Sequence, residues 1–350
     1  MKIGIVCRFP PEKDGIGVTY LPLIKEISKL AEIITIGTKL SDADYKIDFT
    51  SFSLKKEISK IISKENLELL HFHYIAPFYG KYTFNLNFLA ALNQKIPVMA
   101  TLHEVQYSCR GIKKKILCKI QEKIIHKASL ITVHTPSQKK FLEEKYNAHN
   151  IECVYMGISP KPIHKKILRN ILFFGILSKQ KGIEFLIEAM KALPDCRLKI
   201  AVSMPHNNVS SYKKLLLQKI STLNIKNAEL ISKGWYSEEE RASYYKWADV
   251  VALPYLWGDY QSAVITDAIA YGLPVIVTKV GAIWETVGFF KCGIIVQPEN
   301  SAALSCAIKE VFARYNEYQK GVFAYRKEAD WENIAKIYLG LYEKMLSKVS

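Results

Sequence analysis

Short β-branched apolar runs alternate along the chain with longer stretches in which apolar residues recur every three or four positions. The runs at residues 3–7, 33–36, 69–72, 97–101, 130–134 and 151–155 form one series, and those at 171–174, 197–202, 228–231, 250–253, 275–278 and 293–296 form a second. A short apolar run followed by helical periodicity is the pattern of βαβ units, so the chain predicts two parallel sheets with helices on their faces. Residues 161–169 carry four basic side chains with two prolines nearby and read as an exposed linker between the two series. The expected architecture is α/β: two tandem Rossmann-like domains facing each other across a cleft, the first over residues 1–162 and the second from 163 to 330.

Composition agrees with this picture and narrows the partners. Of 350 residues, 49% are hydrophobic and 23% charged, enough for the cores of about two domains. No apolar run approaches the ~18 uninterrupted residues of a membrane span, and Met1 leads straight into the first run, so neither a transmembrane helix nor a signal peptide is expected. Seven scattered cysteines without a CxxC pair argue against a disulfide framework or a zinc ribbon, and the expected compartment is the reducing cytosol. The net charge of +16 requires an acidic partner: nucleic acid, an anionic membrane surface or a phosphorylated substrate. Nucleic acid is disfavoured, because base stacking asks for aromatics interleaved with arginine and here lysine dominates.

Five segments carry candidate chemistry. The loop PPEKDGIG (10–17) precedes a helical pattern, and Gly15 and Gly17 allow either close approach to a ligand or simply a tight strand-to-helix turn. HFHY (71–74) and TLHE (101–104) end two successive strands, which would direct His73 and His103 at a substrate in the cleft, while His71 reads equally as a satisfied core histidine. A metal there would need a third ligand such as Glu104 or Asp14, and a polar substrate contact is the preferred reading. Asp42-Ala43-Asp44 reads as a solvated acidic turn. In FFGILSKQKG (173–182), Lys179, Lys181 and Gly182 fall where a helix is expected to begin, a seat for phosphate. In WGDYQSAVITD (257–267), Asp259 precedes a helix starting near Ser262 and Asp267 lies on it. The amides of Gln261, Ser262 and Ala263 can bind an anion, and the two carboxylates can accept from hydroxyls.

Taken in order, these segments resemble the GT-B glycosyltransferases, specifically the retaining family 4 group that uses nucleotide-sugar donors. The resemblance extends over VYMGIS (154–159), GWYSEEERASYYKWADVVALP (234–254), AYGLPVIVT (270–278) and VGAIWE (280–285). The closing DWENIAKIYLGLYEKML (330–346) looks like that family's last helix, so residues 331–350 are expected to cross back to the first domain. The resemblance implies that Asp267 holds ribose hydroxyls and Asp259 the donor sugar. Lys181, with the amides of Gln261 to Val264, would hold the diphosphate, His103 would contact the reacting sugar and Gly234 would line the base pocket. Catalysis is thereby assigned to His103, Lys181 and Asp259, with His73, Lys179, Gly15 and Gly17 in supporting binding roles. The donor is expected to be a UDP- or GDP-sugar and the acceptor a glycan or a lipid-linked molecule, with no metal and no cofactor. The chain departs from the family in having Ile176 where Arg is usual, Asp at both acidic positions where Glu is common, and Asp14 in place of a glycine. A non-catalytic nucleotide-sugar binder and a nucleotide-sugar 2-epimerase are the alternative readings of the same fold.

One further segment stands out. From Arg110 to Lys127 there are seven basic residues and one acid, with Ile112, Ile116, Leu117, Ile120, Ile124 and Ile125 near helical spacing. It reads either as an ordinary helix with its isoleucines on the sheet or as a surface that docks on anionic lipid headgroups. The second reading would make a cytoplasmic protein peripheral at the membrane face.

Overall fold

The structure is a computed structural model that describes all residues except 13–14, 81–84, 164–166, 205–209, 259–260 and 349–350. Two compact units emerge, one holding Met1–Gly157 and Trp331–Ser350, the other Ile158–Gly258 and Ser262–Asp330.

The first unit is built on strands β1 (Lys2–Val6), β2 (Glu32–Gly37), β3 (Tyr45–Lys46), β4 (Leu69–Tyr74), β5 (Val98–Leu102), β6 (Leu130–Val133) and β7 (Ile151–Cys153). They pair in the order β3-β2-β1-β4-β5-β6-β7, all parallel. The strand order reverses beside β1, which makes the carboxyl ends of β1 and β4 a topological switch point. Alternation along the strands divides the interior into two layers. Leu70, Phe72, Ala100, Leu102, Ile131 and Val133 face one side. Leu69, Met99 and Leu130 face the other, against Tyr20, Leu23 and Ile27 of helix Gly15–Ile27 and against helix Trp331–Leu346. The latter buries Trp331, Ile334, Ala335, Tyr338, Leu339, Tyr342 and Met345, a stripe at three- and four-residue spacing. Gly157 makes room for it, since a Cβ there would lie 2.1 Å from the Trp331 ring.

The second unit has β8 (Asn170–Ile176), β9 (Arg197–Ser203), β10 (Ala228–Lys233), β11 (Val250–Leu253), β12 (Val275–Thr278) and β13 (Gly293–Val296). Their order is β10-β9-β8-β11-β12-β13, again parallel, with the switch point between β8 and β11. The strand segments VVAL and VIVT are buried throughout, as expected for strands covered on both faces.

Two expectations need correction. Cys109 and Cys118 are joined in a disulfide across the start of helix Ile112–Lys127, although no spacing motif marks them. The expected helix start at Lys179 is instead a separate 3₁₀ turn, Lys179–Lys181, closed by Gly182 in the left-handed conformation before helix Ile183–Ala189. Gly182 stops one helical turn and admits the next, so the two lysines lie outside the longer helix.

Candidate active site

In the second unit the turn after β8 is fastened to the chain leaving β11. The Leu256 amide donates to the Gln180 carbonyl at 2.8 Å, and a Cβ on Gly182 (φ +60°) would lie 2.1 Å from the Pro254 carbonyl oxygen. Only glycine tolerates both the angle and the approach. The half-buried Lys181 places its Nζ 3.6 Å from the centroid of the Tyr255 ring, while Lys179 is exposed. Tyr255 is buried, and its hydroxyl lies 3.3 Å from Ser262 Oγ. Ser262 is the N-cap of helix Ala263–Ala270, and its side chain makes no capping bond to that helix. Thr278, at the end of β12, donates its hydroxyl to the Tyr255 carbonyl. Lys181, Tyr255 and Ser262 thus meet at the carboxyl ends of β8, β11 and β12, where parallel sheets bind ligands.

Asp267 is half-buried on the same helix, 3.7 Å from the Arg241 guanidinium. Burial pushes its carboxyl above the usual range, and Arg241 and the neighbouring Tyr245 hydroxyl oppose that shift. Gly234 follows β10, is exposed, and a Cβ on it would meet nothing within 4 Å. Gln261, Ala263 and Val264 are half-buried around the helix start. Asp259 lies outside the described residues.

In the first unit the strand-end histidines lie inside the fold. His73 and His103 are buried, because strand alternation sends both toward helices Gly15–Ile27 and Trp331–Leu346. They belong to a continuous chain of imidazoles. His134 Nδ1 lies 3.0 Å from the Val154 carbonyl and therefore donates, leaving Nε2 as acceptor for His103 Nδ1 at 3.2 Å. His103 Nε2 then accepts from His73 Nδ1 at 3.0 Å. His73 Nε2 ends the chain as a buried acceptor without a hydrogen-bond partner. The Tyr20 hydroxyl also reaches His134 Nε2, at 3.2 Å. Beside the chain, His71 bridges Tyr342 and Thr101, each at 2.7 Å. Desolvation lowers the pKa of all four histidines, to about 3 for His71 and about 4 for His134. With both ring nitrogens engaged, His103 holds its place in the chain.

Gly17 is buried, and the approach it permits is to the backbone: a Cβ would lie 1.9 Å from the Arg8 carbonyl oxygen. Gly15 opens the helix. Asp44 accepts from the amide and hydroxyl of Thr35, a local turn. In helix Ile112–Lys127, Ile120, Ile124 and Ile125 are core residues, whereas Ile112 is 82% exposed beside exposed Arg110, Lys113, Lys115, Lys119 and Lys123. Among the described residues, no group of three or more His, Cys, Asp or Glu is arranged to hold a metal ion, and no helix is long and apolar enough to cross a membrane. Reading the sequence missed His134, Tyr20, Tyr255 and Arg241. Of these only His134 carried a signal, its place at the end of the strand that follows TLHE.

Residues 169–314 match the family Glycosyl transferases group 1. An uncharacterised glycosyltransferase of Methanocaldococcus jannaschii is 24% identical over a match spanning 84% of this chain and 80% of that protein. Among solved structures, sucrose-phosphate synthase of Thermosynechococcus elongatus superposes with a TM-score of 0.75 at 18% identity, covering 99% of this chain and all of the other. Anabaena HepE in complex with UDP-glucose superposes at 0.73 and 16% identity, with the same coverage. These likenesses identify the fold as GT-B.

Proposed function

We propose that this chain, a glycosyltransferase of the group 1, GT-B type by its domain over residues 169–314 and its fold, moves a sugar from a nucleotide-sugar donor to a glycan or lipid-linked acceptor, with retention of configuration and without a metal. The observation that carries the reading is the meeting of Lys181 with the start of helix Ala263–Ala270 at the carboxyl ends of β8, β11 and β12. Departure of a nucleoside diphosphate builds negative charge. A lysine ammonium and helix-terminal amides already in position stabilise that charge with little reorganisation. Asp267 accepts hydrogen bonds from ribose hydroxyls, Asp259 from the donor sugar, and the open space at Gly234 receives the base. Lys179 adds charge at the rim. The bond to the acceptor oxygen forms on the face from which the phosphate leaves, and the departing phosphate oxygen takes the acceptor's proton. The first unit serves the acceptor. There His103 is assigned a positioning role, because both of its ring nitrogens already have partners. HepE was solved with UDP-glucose, which makes a UDP-sugar the first donor to test.

A lipid-linked acceptor is favoured by Ile112 and the exposed basic residues around it, which suit an anionic headgroup layer. Melting the protein against a panel of UDP- and GDP-sugars tests the donor. At 100 times Kd a ligand adds about 2.7 kcal/mol of stability. One sugar nucleotide should raise the melting temperature of the wild type well above the rest, and a flat panel would remove the reading. Salt-sensitive co-sedimentation with anionic vesicles, lost when Lys113, Lys114 and Lys115 become Gln, tests the membrane part.

A further inference from the structure

We propose that Tyr255 is a positioning residue for diphosphate binding, setting Lys181 and the start of helix Ala263–Ala270 in register with each other; this rests on the donor site assigned above. No motif used to read the sequence includes Tyr255. The ring face lies under the Lys181 ammonium, 3.6 Å from centroid to Nζ, and the hydroxyl lies 3.3 Å from Ser262 Oγ. One rigid side chain therefore touches both of the groups expected to meet a diphosphate.

Three contacts fix the backbone that carries the ring. Thr278 holds the Tyr255 carbonyl from β12, Leu256 ties the following residue to Gln180 in the turn that carries Lys181, and Gly182 lies against Pro254 with no space for a side chain. The backbone thus locks 254–256 against 180–182, and the ring converts that lock into a place for a four-carbon flexible ammonium. Ammonium–ring attraction is directional enough to remove part of the rotamer entropy that Lys181 would otherwise lose on meeting phosphate. A leucine of similar burial would fill the space without that attraction.

The test is calorimetric titration of the full chain with UDP and GDP, comparing wild type, Tyr255→Phe, Tyr255→Leu, Lys181→Ala and the Lys181→Ala/Tyr255→Leu pair. Phe keeps the ring, so Tyr255→Phe should bind within about twofold of wild type. Tyr255→Leu should weaken binding about three- to thirtyfold, the range of a partly desolvated ammonium–ring contact. In the Lys181→Ala background the same change should add less than twofold. If Tyr255→Leu costs as much without Lys181 as with it, the ring acts independently and the proposal fails. If the wild type binds neither nucleoside diphosphate, the donor site itself is wrong and the proposal goes with it. A second measurement does not depend on the leucine variant folding. After reductive ¹³C-methylation, the Lys181 dimethylamino signal, assigned by its loss in Lys181→Ala, should be shifted upfield by the ring in wild type and in Tyr255→Phe. A signal at the position of exposed lysines overturns the contact.

Discussion

The imidazole chain in the first unit should make that unit acid-sensitive in a pH range where carboxylates are still charged. His71 and His134 are held neutral by burial, with pKa values near 3 and 4 against 6.5 in the unfolded chain. Because the folded values lie below the unfolded one, the unfolded chain takes up protons first as pH falls. Stability is complete above about pH 6.5. It is lost below that until the folded imidazoles themselves protonate, near 4 for His134 and near 3 for His71. Between pH 7.5 and 5.5 each contributes a loss of about 1.4 kcal/mol, so the two together cost about 2.7 kcal/mol. Burial, together with the neighbouring imidazoles, also lowers His73 and His103, and they add in the same direction. Against a typical domain stability of about 5–15 kcal/mol that is a large share. The carboxyls of Glu65 and Glu152, lowered by their tyrosine and lysine partners, withdraw their contributions only at more acid pH, which leaves the upper window to histidine. Hydrogen exchange on peptides covering 69–74, 98–102 and 130–133, corrected for the intrinsic rate, reads the opening free energy of the sheet. Protection should fall by at least the two-histidine amount between pH 7.5 and 5.5. Protection that is flat over those two pH units would falsify the neutral, buried assignment.

Other outcomes follow from the packing. Gly182→Ala places a Cβ 2.1 Å from a backbone oxygen at a left-handed residue, so it should lower stability of the second unit by about 1–3 kcal/mol and weaken nucleoside diphosphate binding; an unchanged melting temperature contradicts the close approach. Gly234→Ala meets no neighbour, so stability should hold while donor affinity drops if the base lies there, and unchanged affinity moves the base elsewhere. Asp267→Asn should weaken nucleoside diphosphate binding about tenfold or more through the lost charged acceptor, and equal binding by the variant removes the ribose assignment. Alkylation of denatured, unreduced protein purified without reductant should label Cys7, Cys153, Cys196, Cys292 and Cys306 but not Cys109 or Cys118, and seven labelled cysteines would show that the pair is reduced.

Much of the fold was legible because strands covered on both faces must be apolar throughout. The runs at 250–253, 275–278 and 293–296 coincide with β11, β12 and β13 to the residue. The exception at strand level, β3, has only Tyr45 and Lys46, too short for any period to show. The 3₁₀ turn at Lys179 had a local signal in Gly182, which fits a left-handed stop as well as a helix start, and the lysines before it favoured the wrong alternative. The Cys109–Cys118 bond had none: it depends on how the loop after β5 turns into the next helix, which local composition does not encode.

The candidate site was legible in its charged residues and opaque in what surrounds them. Placing His73 and His103 at strand ends suggested ligand contacts, because the carboxyl edge is where ligands bind. Which face a strand-end residue takes, however, follows from alternation counted back through the strand. His71 and His73 share the parity of Leu69, and His103 that of Met99 and Thr101, so all three histidines lie on the layer closed by Tyr20, Tyr338 and Tyr342. Two of those tyrosines come from more than 200 residues away, in a helix whose apolar stripe gave no sign that its phenols meet imidazoles. Tyr255 is the same kind of case. Beside Pro254 it reads as one more apolar residue leaving a strand, and its importance lies in touching Lys181, 74 positions earlier, and Ser262, seven later. Contacts of that separation are created by sheet order, and they decide whether a charge recognised from its motif is held where it can act.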